Sequence, residues 1–202
     1  MTLTAPDPTP TNPDPAAPVV IGLDPSLTGT GIASSNGWCE VIGYKRPRAK
    51  DPGITQLPHA ERLTAMKDLL AQVRNAIGCP DLAVMELPAP SRSGGGAHER
   101  GWFWWEIYHY LTSSYIPVAL LTPNARALYA TGKGTAGKGA VIEAVTRRFP
   151  AWTTEGDDNA ADAVVLMAAG RDWLKHPITD MPKTHRAALD KATWPTLPGA
   201  TR

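Results

Sequence analysis

Two short apolar runs that each end in a carboxylate constrain the fold of this 202-residue chain more than any other feature. Residues 19–24 read VVIGLD and residues 82–86 read LAVME. Apolar runs of this length, without alternating polar residues, are typical of strands that are buried on both faces. Such strands need helices on both sides of their sheet, so the pattern favours a layered α/β fold.

The rest of the chain supplies the other strands and the covering helices. Glycine-rich residues 26–31 predict a turn into a second strand from Ile32, and residues 40–45 predict a third, so the first three strands form an antiparallel meander. A fifth strand is predicted over 116–121. Helices are predicted over 60–77, with a stripe of Leu63, Met66, Leu70, Val73 and Ile77, and over 98–114, 123–130, 138–148 and 158–174. The prediction is an α/β fold with a mixed five-stranded sheet flanked by helices.

Composition divides the chain into three parts. Six of the 20 prolines lie within the first 18 residues, so residues 1–17 are expected to form a disordered, proline-rich arm. The folded domain is predicted over 18–175. Residues 176–202 are polar and contain several prolines, which predicts a loose C-terminal tail.

Several classes of protein are disfavoured by composition. The N-terminus lacks the features of a signal peptide and no segment is apolar enough to span a membrane, so we expect a cytoplasmic protein with no membrane partner. Cys39 and Cys79 have no metal-binding spacing and are expected to be reduced. The net charge of +1 means that a nucleic acid would have to bind a local basic face.

Four carboxylates are candidates for one site. Asp24 and Glu86 end two predicted strands, and Asp158 and Asp162 lie four residues apart on one face of the last helix. Strand ends form the functional edge of α/β sheets, so these acids are expected to cluster. Clustered carboxylates repel one another unless a cation binds, and their hard oxygens select Mg²⁺, or Mn²⁺ as a substitute. Two such ions can activate water and stabilise the leaving oxygen of a phosphodiester.

Each acid also has a purely structural interpretation. Asp24 can initiate a turn, Glu86 can be an edge charge, and Asp157 with Asp158 can cap the last helix. Asp162 is hardest to explain in this way because its neighbours are small and apolar, where a charge needs a partner.

Three segments, taken in order, resemble the motifs of RuvC-like Holliday junction resolvases. They are residues 22–31 (GLDPSLTGTG), 83–86 (AVME) and 157–163 (DDNAADA). The resemblance implies an RNase H-like fold, a homodimer, Mg²⁺ and paired nicks in four-way DNA junctions. It also implies that Asp24, Glu86 and Asp162 are metal ligands with a catalytic role. Two ions per site are expected from the two-metal chemistry given above.

The sequence departs from the family pattern at two positions. The family places its last two acids three residues apart, which points to Asn159, so the fourth ligand is Asp158, Asn159 or Asp157, and we favour Asp158. Many relatives carry an aromatic residue three positions after the second acid, where this chain has Ala89. This difference leaves the mode of junction opening undetermined.

Basic residues near the last strand are candidates for DNA contacts. Residues 132–139 nearly match an NTPase phosphate loop, but the pattern ends in Gly139 instead of Ser or Thr, and it follows a predicted helix. Glycines and lysines before a helix can nevertheless bind phosphate. RuvC-like proteins carry a basic residue at a comparable place near the active site, so the resemblance implies that Lys138 contacts the scissile phosphate in a catalytic role. Arg126, Lys133 and Arg92 are predicted to make further DNA contacts.

The predicted helix over 98–114 carries more aromatic residues than one core-facing stripe needs. We expect Trp102, Trp105 and His109 to lie at a dimer interface, with base stacking as the alternative.

The leading hypothesis is a structure-selective endonuclease acting on branched DNA. Two alternatives remain: an ATP-binding protein of the actin-like or sugar-kinase type, in which Asp24, Ser26, Thr28 and Thr30 cradle phosphate, and a catalytically silent junction-binding protein.

Overall fold

The computed structural model describes residues 17–88 and 96–197. Its five strands are β1 (Val20–Asp24), β2 (Thr30–Ser34), β3 (Trp38–Ile42), β4 (Leu82–Glu86) and β5 (Val118–Leu121). Its α-helices are α1 (His59–Ile77), α2 (Ala97–Ser113), α3 (Pro123–Thr131), α4 (Lys138–Arg148), α5 (Asp158–Trp173) and α6 (Lys183–Arg186). Short 3-10 turns lie at Ile54–Gln56 and Leu189–Lys191.

One mixed sheet organises the domain, with strand order β3-β2-β1-β4-β5. The β1–β2 and β2–β3 pairs are antiparallel, which confirms the predicted meander, whereas β4 runs parallel to both β1 and β5. Because β1 and β4 are parallel neighbours, their carboxyl ends meet at the same edge of the sheet.

Helices cover both faces of the sheet, as buried strands require. On β1, Val20 packs against the side of α3, α4 and α5, and Ile21 packs against the side of α1 and α2. Side chains alternate along a strand, so Leu23 faces α1 and α2, and Asp24 faces the side of α5. The sheet therefore directs the carboxylate at the end of β1 toward α5.

Two glycines allow α5 to lie unusually close to the sheet. A Cβ on Gly22 would lie 2.0 Å from the carbonyl oxygen of Ala163, and one on Gly31 would lie 1.9 Å from that of Asn159. Both positions are therefore restricted to glycine by the backbone of α5. This close contact brings the N-terminal turns of α5 to the edge where β1 ends.

The prediction of a loose tail is wrong for residues 176–197. The segment is anchored by single residues: Thr193 forms a β-bridge with Leu120, Trp194 stacks on Trp173 at 4.6 Å, and the guanidinium of Arg186 lies 3.0 Å from Asp172. Averaged composition could not reveal these anchors, because a few specific long-range contacts order a segment that is polar as a whole.

The predictions for Leu63 and for the N-terminal arm have different outcomes. Leu63 was assigned to the buried stripe of α1, but it is 48% exposed and lies on the outer side of the helix. The proline-rich arm, apart from Ala17, lies outside the described residues, as do Ala89, Arg92 and the last five residues. Within the described part of the chain, no helix combines the length and apolar character needed to cross a membrane.

Candidate active site

The carboxylates of β1 and β4 leave the sheet side by side. Leu23 pairs with Met85 in the parallel β1–β4 ladder, so Asp24 and Glu86 are the next residues on adjacent strands. On each strand, side chains at even spacings before the acid pack on the side of the sheet that α5 covers. Because side chains alternate along a strand, both carboxylates point to that same side. The sequence expectation that these two acids meet is consistent with this register.

Helix α5 adds two more acids. Asp162 is 6% exposed and, one turn earlier, Asp158 lies at the more open start of the helix. Asp162 raises the pKa of Asp24 by charge repulsion, and Asp158 does so more weakly, which shows that all three belong to one electrostatic cluster. The structure thus brings together the four acids selected from the sequence.

The three candidates for a fourth ligand, Asp157, Asp158 and Asn159, make different contacts in the structure. Asp157 is the N-cap of α5 and accepts hydrogen bonds from the backbone N–H groups of Asn159 and Ala160, at 2.8 and 3.0 Å. The side chain of Asn159 packs toward Gly29, where a Cβ would lie 3.0 Å from its amide nitrogen. Asp158 is the residue of the three whose carboxylate interacts with Asp24 and Asp162.

Arg126 lies within the acidic cluster. Its Nε donates to Glu86 and its Nη1 donates to Asp162, and its side chain is only 12% exposed. The sequence predicts a contact of Arg126 with the DNA backbone, whereas the structure pairs its guanidinium with two carboxylates. The order of elements in the sequence indicates this position, because Arg126 lies in the first turn after β5 and β5 ends at the same edge of the sheet as β4.

Burial dominates the electrostatics of the cluster. Desolvation, followed by repulsion from Glu86 and Asp162, raises the pKa of Asp24 to about 7. Desolvation also raises the pKa of Asp162 to about 7, although Arg126 opposes the shift. The pKa of Glu86 is raised by burial as well, again against the effect of Arg126. One guanidinium therefore does not fully compensate three buried carboxylates.

The rim of the site carries a second, exposed cation. Lys138 begins α4, its side chain is 78% exposed, and its ammonium group pairs with Asp158. The hydrogen bond raises the pKa of Lys138 and lowers the pKa of Asp158. Lys133 is also exposed, in the glycine-rich segment before α4. That segment connects α3 to α4, so it lacks the preceding strand of an NTPase phosphate loop.

The hydroxyl groups of the first turn bond one another. Thr30 is fully buried, and its hydroxyl donates to the carbonyl oxygen of Ser26 at 2.6 Å. The hydroxyl oxygens of Ser26 and Thr28 lie 3.4 Å apart. These contacts stabilise the turn that follows Asp24, and the buried Thr30 is not available to cradle a phosphate group.

Helix α2 contributes to the site through Trp104, which was not among the predicted site residues. The indole Nε1 of Trp104 donates to the carbonyl oxygen of Glu86 at 2.8 Å, which holds the end of β4. Of the three predicted interface residues, Trp105 is 63% exposed, His109 is exposed and Trp102 is half-buried beside α1. The helix therefore presents aromatic rings to the surface while its other face packs on the sheet.

The donor chemistry of the cluster fits a hard divalent cation, since four carboxylates from three elements converge there. As the side chains stand, however, no three His, Cys, Asp or Glu residues within 17–88 and 96–197 are arranged around a common ion position. Two of the four carboxylates, those of Glu86 and Asp162, accept hydrogen bonds from Arg126 instead.

The fold and the position of its acids define an RNase H-like α/β protein with a carboxylate cluster at the carboxyl edge of the central strands. Comparison with solved structures gives the same fold. Thermus thermophilus RuvC in complex with a Holliday junction substrate superposes with a TM-score of 0.55 and 20% sequence identity, covering 79% of this chain and 98% of that chain. Another Thermus thermophilus RuvC structure gives a TM-score of 0.52 at 20% identity, covering 78% and 97%.

At this level of identity the likeness establishes the fold, which is that of RuvC. No protein-family model matches the sequence, and no curated protein matches it either.

Proposed function

We propose that the chain is a metal-dependent endonuclease that cuts branched DNA, and four-way junctions in particular. The observation that carries the proposal is the meeting of Asp24, Glu86 and Asp162 at one edge of an RNase H-like sheet. These acids come from three separate elements, two of them buried strands, and the fold holds them together although burial and mutual repulsion oppose their ionisation. Such an arrangement destabilises the folded protein, and groups perturbed in this way are typical of functional sites.

Asp24, Glu86, Asp162 and Asp158 are the residues that would hold Mg²⁺. The metal would lower the pKa of water and stabilise the charge that develops during phosphodiester hydrolysis. The protein contributes rigidity: β1 and β4 fix two carboxylates, and Trp104 restrains the end of β4 through its bond to Glu86. Helix α5 fixes the other two through its close packing on Gly22 and Gly31.

A basic rim would bind the DNA backbone. Lys133 is exposed in the segment that leads into α4, and the exposed Lys138 at the start of α4 pairs with Asp158 of the acidic cluster. Exposed lysines bind phosphate through charge, which positions DNA without reading its sequence. The net charge of the chain is only +1, so this local rim is what would bring a polyanion to the acidic cluster.

Branched DNA is the proposed substrate because the superposed RuvC was solved with a Holliday junction substrate. The exposed ring of Trp105 and the exposed His109 on α2 offer a surface for a second copy. Two copies would place two acidic clusters in one particle, which suits paired nicks.

The test is incubation of the full chain with labelled four-way, three-way and linear duplex DNA, with and without Mg²⁺. We expect Mg²⁺-dependent nicking of branched DNA, and loss of nicking with retained DNA binding in Asp24→Asn. Asp68→Asn is the matched control, because Asp68 is an exposed aspartate on α1, on the other side of the sheet. Full activity in Asp24→Asn would contradict the proposal, and binding without any nicking by the native chain would favour a silent junction-binding protein.

A further inference from the structure

Arg126 occupies a fixed position within the acidic cluster. Thr122 caps α3, with its hydroxyl oxygen accepting from the N–H of Ala125 at 3.1 Å, and the N–H of Arg126 donates to the carbonyl oxygen of Thr122 at 3.0 Å. The guanidinium therefore emerges from the first turn of a capped helix. Its two bonded nitrogens, Nε and Nη1, hold carboxylates from different elements, Glu86 on β4 and Asp162 on α5.

The contacts of Arg126 engage one carboxylate oxygen on each of two proposed metal ligands. Glu86 and Asp162 are two of the four acids proposed as metal ligands, and each has an oxygen committed to the guanidinium. An arginine keeps its charge at any physiological pH, so deprotonation cannot remove this competitor. Two cations bound to the same buried carboxylates would repel one another strongly at low effective dielectric.

Lys138 provides a contrast on the same edge. It pairs with Asp158, but its side chain is largely exposed, so water and salt screen the interaction. Displacement of Lys138 by a metal ion would cost little. Displacement of the buried Arg126 breaks two charge-assisted bonds, so it weakens metal binding when DNA is absent and becomes easier when the guanidinium finds another anion.

We propose that Arg126 is a resident counter-ion that competes with the divalent metal for Glu86 and Asp162 and transfers to a DNA phosphate when the metal binds. The inference rests on the proposed nuclease function and assigns Arg126 a positioning role. The forked guanidinium matches a phosphate as well as it matches a carboxylate. Because DNA and metal both favour the displaced arginine, each promotes binding of the other.

The first experiment measures Mn²⁺ binding to the full chain by isothermal titration calorimetry, without DNA. Arg126→Gln is expected to bind Mn²⁺ roughly tenfold more tightly than the native chain, within the usual range of such coupling. Arg147→Gln is the matched control, since it removes one positive charge from the exposed end of α4, and its affinity should equal that of the native chain. Equal or weaker binding by Arg126→Gln would overturn the proposal.

Loss of Arg126 leaves buried carboxylates without a counter-ion, so Arg126→Lys serves as a second variant. It keeps the charge, but a single ammonium group does not reproduce the fork that bridges Glu86 and Asp162. Circular dichroism checks that each variant is folded, and Arg126→Lys is expected to bind Mn²⁺ more tightly than the native chain by a smaller factor. If only this variant folds, unchanged or weaker binding by it overturns the proposal.

The second experiment repeats the Mn²⁺ titration with linear duplex DNA, which a structure-selective nuclease binds without cutting. DNA should strengthen Mn²⁺ binding more in the native chain than in Arg126→Gln, and an equal gain in both would overturn the transfer to phosphate.

The results distinguish failure of the proposed role of Arg126 from failure of the proposed nuclease function. If the native chain binds Mn²⁺ and nicks junctions but Arg126→Gln binds no more tightly, only the role of Arg126 is wrong. If no variant binds Mn²⁺ and the native chain does not nick, both are wrong.

Discussion

Two ion pairs at the same edge of the sheet differ in almost every physical respect. Arg126 is buried and joins Glu86 to Asp162, whereas Lys138 is exposed and reaches Asp158 alone. Burial raises the pKa of Asp162, while the exposed pair lowers the pKa of Asp158. The four acids are therefore not equivalent: the inner acids Asp24, Glu86 and Asp162 are buried at an energetic cost, whereas the outer acid Asp158 is half-buried at the rim of the cluster.

The largest expected difference between the two pairs is in catalysis. Asp162→Asn should reduce Mg²⁺-dependent nicking of a four-way junction by at least about a thousandfold, because it removes a buried metal ligand worth several kcal/mol in the transition state. Asp158→Asn should lose roughly ten- to a hundredfold, since water can replace a partly solvated ligand. Single-turnover nicking rates measure both, and equal losses would break the distinction between inner and outer acids.

The next difference is in stability without metal. Arg126→Met should lower the free energy of unfolding by about 3 kcal/mol, because it leaves buried carboxylates unpaired. Lys138→Met should change it by less than about 1 kcal/mol, because the Lys138–Asp158 pair is solvated. Urea denaturation at neutral pH gives both values. A loss in Lys138→Met as large as that in Arg126→Met would show that burial does not separate the pairs.

A smaller effect is expected in the pH dependence of metal stabilisation. Asp24 and Asp162 have a pKa of about 7 in the folded chain, compared with about 3.9 when unfolded. Their contribution to the free energy of unfolding is therefore fully present below about pH 4 and is lost as the pH rises through 7. A metal binds only their ionised forms.

Added Mg²⁺ should therefore raise the melting temperature more at about pH 8 than at about pH 6. Asp158 does not contribute to this change, since its pKa is lowered and it is ionised at both pH values. Differential scanning calorimetry with a NaCl control at matched ionic strength provides the measurement. An equal rise at both pH values would mean that the inner acids are already ionised at pH 6.

The smallest expected effect concerns the outer pair and DNA. Lys138→Gln should weaken binding of a four-way junction and reduce the slope of log K against log salt by about 1, as expected for one lost phosphate contact. Fluorescence anisotropy over a salt series measures the slope. Glu143→Gln, an exposed change on α4 away from the acids, should leave it unchanged. A slope that is unaffected in Lys138→Gln would remove this lysine from the DNA interface.

Much of the fold could be predicted because its signals are local. The apolar runs that form β1 and β4, the helical stripe of α1 and the small apolar residues of α5 are periodic patterns of neighbouring residues. The placement of Asp24 and Glu86 at strand ends follows from the same patterns. Local rules failed where a few long-range contacts decide the outcome, as in residues 176–197, which Trp194 and Arg186 anchor to the domain.

By itself, the sequence determined the order of strands and helices and the acids that terminate or begin them, because each depends on spacings of two to four residues. Tertiary structure alone decided that Arg126 pairs with Glu86 and Asp162, which lie 40 and 36 residues away along the chain. It also decided that Asp158 faces the cluster while Asn159 packs toward Gly29. The physical reason is that these contacts depend on how closely α5 packs on Gly22 and Gly31, and no local pattern encodes that distance.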